Sequence, residues 1–209
     1  QFSFSTPILT EQGAYYFIVN GEEGVSLAAT LGEPYFPEIM VINELTTVAT
    51  AYAFANFLEP LSGEIRGDSL GLQIAAMMTA NLVDIENGLP SQVLLNPPNA
   101  NQTNALRATR SLANMIAAAI ASQDDRETFF SLTTPGEQAA TVNTLQGIHR
   151  IARHPANNGI ELYLYSQTLS PFQPALFLAP DAWTLAVKVN QTGSTGRPFG
   201  GTANTVFDE

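Results

Sequence analysis

A chain of 209 residues that is 45% hydrophobic and only 13% charged can bury a sizeable core, which excludes disorder over most of its length. Its net charge of −11, with Lys188 as the only lysine, leaves no basic stripe for phosphates, so nucleic acid is not an expected partner. Without cysteine there are no disulfides or thiolate sites, and no apolar run approaches the roughly 20 residues of a membrane span.

Residues 1–13 read as a leader, and Gln1 in place of Met fits either removal of a signal peptide or a cut made for expression. Aromatic and β-branched residues over 14–20, closed by Gly21, predict a strand. The apolar run 25–31 leads into Pro34 and Pro37, which force an extended passage feeding a short strand over 38–42. Asn43 then stands as an N-cap before Leu45, Val48, Ala49, Tyr52 and Ala53 at helical spacing, and Pro60 stops that helix. Residues 70–82 carry Leu72, Ala75, Ala76, Thr79 and Leu82 on one stripe, a second helix.

Asn87-Gly88 and Asn96-Pro97-Pro98-Asn99 predict a loop over 87–100 around a short extended piece. The longest helical stretch is 103–122, followed by Asp124 and Asp125 in a turn and a brief helix over 126–132. A further helix is expected over 137–153, with Val142, Leu145, Ile148 and Ile151 inward, and a short one over 160–168. Alternation over 182–190 places Trp183, Leu185, Val187 and Val189 on one face, which predicts a strand. From Gln191 the composition becomes linker-like until Thr205-Val206-Phe207, which reads as an incoming strand. The expected fold is α+β and mainly helical. About five helices pack on a small sheet of N- and C-terminal strands, in a single domain over 14–190.

Three strings carry a family resemblance. Asn43-Glu44-Leu45-Thr46-Thr47-Val48-Ala49 resembles an N-E-[LF]-T-T-V-A signature of exported bacterial proteins. Residues 151–158 (Ile-Ala-Arg-His-Pro-Ala-Asn-Asn) and 179–185 (Ala-Pro-Asp-Ala-Trp-Thr-Leu) resemble two further landmarks of that group, in the same order. The group places such a helical domain ahead of a β-propeller of NHL-like repeats, and residues 199–208 resemble the start of a first blade. The resemblance implies secretion or display at the cell surface, or a periplasmic location, and a propeller as partner. Relatives in the group often carry a cysteine pair around the positions of Ala119 and Arg126, which this chain lacks.

Candidate chemistry is sparse. Glu44 beside Thr46 and Thr47 is a ligand-binding candidate with Asn43, since a carboxylate flanked by hydroxyls can orient a sugar or a water. The same residues suit a helix N-terminus, where Glu44 favours the dipole and the hydroxyls take free N–H groups. Trp183, the only tryptophan, could stack on a ligand ring with help from Tyr15 and Tyr16, or fill the core. His149 and His154, five apart, diverge around a helix and do not suit one metal, while Asp124, Asp125 and Glu127 lack the glycine and ligand count of a calcium loop. No hydrolase elbow, P-loop, dinucleotide fingerprint or zinc-protease motif is present, so no catalytic residue, metal or cofactor is indicated. The expectation is a non-catalytic accessory or interaction domain of an exported protein, which supports a propeller or assembles with copies of itself. The alternatives are part of a lyase or glycan-active enzyme with a pocket near Glu44, and a small-molecule or glycan binding module.

Overall fold

The computed structural model describes residues 14–31, 37–59 and 62–188. β1 (Tyr15–Asn20) and β2 (Ser26–Leu31) form an antiparallel hairpin, with Tyr15 opposite Leu31 and Asn20 opposite Ser26. A 3-10 turn over Glu22–Gly24 joins them. Gly24 takes a positive φ of 83°, and a Cβ there would stand 2.5 Å from the Val142 carbonyl, so both conformation and space require glycine.

α1 (Glu44–Ala53) begins as expected at Asn43. The Asn43 side chain accepts the Thr46 N–H at 3.0 Å while Thr46 Oγ1 accepts the Asn43 N–H at 2.9 Å, a reciprocal capping box. The helix stops at Ala53 rather than near Pro60; a turn follows, and Leu58 bridges to Ile65. α2 (Ser69–Leu82) is capped by Asp68, whose carboxylate accepts the Gly71 N–H at 2.8 Å. Residues 38–42 form no strand, although Val41 N–H donates to the Ile85 carbonyl.

β3 (Val83–Asp84) and β4 (Leu89–Pro90) make a second, minimal hairpin around the Asn87-Gly88 turn. The expected loop beyond it is instead two single-turn helices, α3 (Gln92–Leu95) and α4 (Pro97–Ala100). Ser91 caps the first, and Pro97 opens the second where its missing N–H costs nothing.

α5 (Ala105–Ala121) is the central helix: Leu106, Leu112, Ala113, Met115, Ile116 and Ala118 are buried, and it packs against α1 and the two helices α6 (Gln123–Thr133) and α8 (Gly159–Ser166). Asp124 and Asp125 lie in the first turn of α6 rather than in a turn between elements, because Ser122 Oγ caps that helix through the Asp125 N–H. Arg126 Nη1 donates to the Ala119 carbonyl at 3.0 Å, joining α6 to the last turns of α5.

α7 (Thr144–Arg153) is shorter than the expected 137–153. Ahead of it, Thr141 N–H goes to Thr134 Oγ1 and Val142 N–H to Gln146 Oε1, so the backbone is paired by side chains and Val142 is 53% exposed rather than inward. Gly147 faces the Phe129 ring: a Cβ there would meet it at 2.3 Å, and its absence lets α6 and α7 approach closely.

The fold is therefore α+β and mainly helical, with eight α-helices and two small antiparallel sheets among the described residues. Among the described residues the main sheet differs from expectation, since it is the N-terminal hairpin alone. Its open edge is closed by helix threonines: Ser26 exchanges N–H and C=O bonds with Thr144 Oγ1 at 2.9 and 2.6 Å, and Ala28 N–H donates to Thr47 Oγ1 at 2.9 Å. Thr30 and Thr50 hydroxyls meet at 3.1 Å. Those bonds take the groups that a C-terminal strand would have used.

Residues 183–188 do alternate, with Trp183 buried and Leu185 and Val187 half-buried, but they form no ladder. Their backbone is held by the Asn99 side-chain amide instead, which accepts the Lys188 N–H at 2.8 Å and donates to the Lys188 carbonyl at 2.7 Å. Val189 and Asn190, the leader over 1–13, and the linker and blade-like start over 191–209 lie outside the described residues.

Candidate functional site

The residues singled out in the sequence are engaged within the fold. Asn43 caps α1 and also donates through Nδ2 to the Gly88 carbonyl at 2.9 Å, tying the helix start to the β3–β4 turn. Thr46 and Thr47 are 1% and 0% exposed, with Thr47 Oγ1 shared between the Asn43 carbonyl at 2.7 Å and β2. Glu44 lies half-buried in the first turn of α1, favourable for the helix dipole, and lines none of the clefts described below.

Trp183 is 1% exposed; its indole N–H donates to the Gly159 carbonyl at 3.2 Å and its carbonyl accepts the Tyr52 hydroxyl at 2.8 Å. Burial pushes the Tyr52 phenol well above its ordinary range, so it stays a donor. The structure thus brings Asn43, Thr46 and Thr47 together at the start of α1, while Trp183 is buried against the start of α8 and Tyr52 near the other end of α1. Tyr16 lies over the 62–65 segment, its hydroxyl 3.4 Å from the Ile65 N–H, and Tyr15 opens β1. Asp125 bonds Ser122, and Glu127 bonds Gln123. Among the described residues no group of three or more His, Cys, Asp or Glu is placed to hold a metal ion.

Unsatisfied polar chemistry concentrates instead on α7. Two clefts, each about 310 Å³, flank Leu58 where the 54–59 segment crosses that helix. The first is acidic, with Glu59 and Glu64 facing Asn143 and Gln146. Gln146 is 1% exposed, and its Nε2 has no partner while Oε1 accepts the Val142 N–H at 2.7 Å.

The second cleft is basic, lined by His149, Arg150, Arg153 and His154 with Asn56 and Gln138. His149 Nε2 lies 2.9 Å from the Ala55 carbonyl, which can only accept, so the neutral ring carries its proton there and Nδ1 is a bare lone pair. That Nδ1 is buried without a partner. Burial lowers the His149 pKa, as do the charges of Arg153 and Arg150, against the opposing pull of the Ala55 bond and Glu59. His154 itself is the C-cap of α7, its backbone N–H donating to Arg150. Nothing in the sequence pointed to this cleft, because its two walls are about a hundred residues apart.

A third feature is a surface. α2 contains no charged residue over its 14 positions, and Leu70, Ile74, Met77 and Met78 on its outer face are 50–65% exposed. Its inner face buries Ala75, Ala76, Thr79 and Leu82.

No family model, curated protein or solved structure matches this chain. No helix among the described residues is long and apolar enough to cross a membrane.

Proposed function

We propose that this chain is a non-catalytic accessory domain of an exported protein, and that α2 is the face through which it packs against a second copy of itself. The observation that carries the reading is the uncharged outer stripe of α2, whose residues 70, 74, 77 and 78 recur at helical spacing. A contiguous exposed apolar stripe marks an interaction face. On a chain of net charge −11, an uncharged helix is also where two copies meet with least repulsion. A helix stripe on a two-fold axis is self-complementary, and α3 beside it adds the exposed Leu95.

A second occupant is favoured by a separate observation. Val187 and Leu185 share a cleft with Met78, so the irregular strap formed by residues 183–188 passes beside α2. A β-propeller following in the same chain would then be delivered to that face. Light scattering after size exclusion, over a range of concentrations, separates these readings. Self-association that is lost in an Ile74→Glu, Met77→Glu double variant with an unchanged circular dichroism spectrum supports assembly. A monomer at every concentration would overturn assembly and leave the propeller as the occupant.

A further inference from the structure

The cleft at the end of α7 gathers four of the chain's ten basic side chains. Against 19 Asp and Glu, the sequence has eight Lys and Arg and two His, and both histidines and two of the arginines line this one cleft. Among the described residues, the ion pairs are Arg66 with Glu64 and Arg126 with Glu23, so neither Arg150 nor Arg153 meets a carboxylate. Arg150 is only 8% exposed, and its Nη1 donates to a neutral acceptor, Thr141 Oγ1, at 2.9 Å. Arg153 donates to Asn56 Oδ1.

The negative end of the α7 dipole favours two cations in its last turn. It does not account for His149, which is 5% exposed and has a ring nitrogen with no partner. A buried polar atom left unpaired is costly and calls for a ligand or a water. Guanidinium groups, an imidazole and an amide converging on one open space suit a tetrahedral oxyanion, which can receive donors from several directions at once.

We propose that this cleft binds a small molecule through a phosphate-type oxyanion, with Arg150 and Arg153 as its charge partners and His149 Nδ1 as a third donor. The cleft volume of about 310 Å³ leaves room for a small organic group beyond the oxyanion. His149 donates only after taking up a proton on Nδ1. Without an oxyanion that step is opposed by burial and by the Arg153 and Arg150 charges, and favoured by the Ala55 bond and by Glu59, which lines the neighbouring acidic cleft. An oxyanion between the guanidinium groups cancels their repulsion. The remaining charged or titratable lining group is His154; Gln138, on the facing loop, is neutral, and its neighbour Glu137 is exposed outside the lining. Binding is therefore coupled to proton uptake and tightens as pH falls.

The test is an NMR titration of the whole chain with sulfate, inorganic phosphate and acetate, at constant ionic strength set with chloride. Sulfate keeps its charge across the range, so its pH dependence reports the protein. Saturable shifts of the His149 ring and the Arg150 and Arg153 side chains are expected. Sulfate should bind at least fivefold more tightly at pH 5.5 than at pH 7.5, and acetate at least tenfold more weakly than phosphate. Arg153→Gln, at an exposed position, should weaken sulfate at least tenfold without changing thermal unfolding. Shifts that do not saturate, acetate binding as tightly as phosphate, or an Arg153→Gln variant that binds like the parent would each overturn the proposal. The wild-type titration decides the matter even if a variant misfolds.

Discussion

His149 shows what a single buried side chain can impose. Folding takes its ring out of water and sets it beside Arg153 and Arg150, so its pKa falls below the ordinary value of about 6.5. Above that value both folded and unfolded chains hold the ring neutral, and it contributes nothing to pH dependence. As pH drops through about 6.5 the unfolded chain binds a proton that the folded chain refuses, so stability falls. Urea unfolding in a buffer free of oxyanions should give a lower midpoint at pH 5.5 than at pH 7.5, and His149→Gln should reduce that difference. An unchanged difference would mean the ring titrates alike in both states. The residues that stood out in the sequence behaved otherwise: Asn43, Thr46 and Thr47 were legible as a helix start, and that is the work they do. Their capping bonds stay within one turn of α1, which a local pattern can reveal, whereas the bonds of Asn43 to Gly88 and of Thr47 to Ala28 are long-range. The orphan nitrogen of His149 depends on Ala55, 94 residues away, and no local pattern can show it.

At the scale of elements, the joint between the hairpin and the helices carries the main departure from expectation. Alternation over 183–188 correctly told which side chains face inward, but periodicity reports only the side-chain direction and not which backbone groups pair. The strand that would have closed β2 is replaced by hydroxyls from the first turns of α1 and α7, both opened by Asn caps that orient those turns. Thr47→Val keeps the shape of the side chain but removes the acceptor for the Ala28 N–H, which is then buried and unpaired. The expected loss is about 1–3 kcal/mol in chemical denaturation. A loss below about 0.5 kcal/mol would mean that the β2 edge is satisfied some other way. Residues 137–143 follow the same lesson: their helical spacing was real, yet Thr134 Oγ1 and Gln146 Oε1 offered the backbone competing partners, and the helix waits for Asn143.

At the scale of the whole molecule, a strap that forms no regular structure ties together helices distant in sequence. Residues 183–188 cross from the α7–α8 turn, where the Trp183 N–H donates to the Pro155 carbonyl at 2.8 Å, to α4, where Asn99 grips Lys188. Between those points the Trp183 indole N–H donates to the Gly159 carbonyl at the start of α8 and the Trp183 backbone carbonyl accepts the Tyr52 hydroxyl from α1, so a single residue joins elements from both halves of the chain. Truncation to Trp183→Ala leaves a cavity too large to collapse and removes the indole bond to the Gly159 carbonyl, with an expected cost of about 3–5 kcal/mol. Hydrogen exchange should distinguish this from an ordinary core lesion. If Trp183 anchors the strap, the amides of Trp183 and Lys188 should lose protection together in the variant, while those of α5, at the centre of the core, exchange only by global unfolding. If the Lys188 amide stays protected, Asn99 alone holds that end, and the strap is two independent attachments rather than one tensioned element.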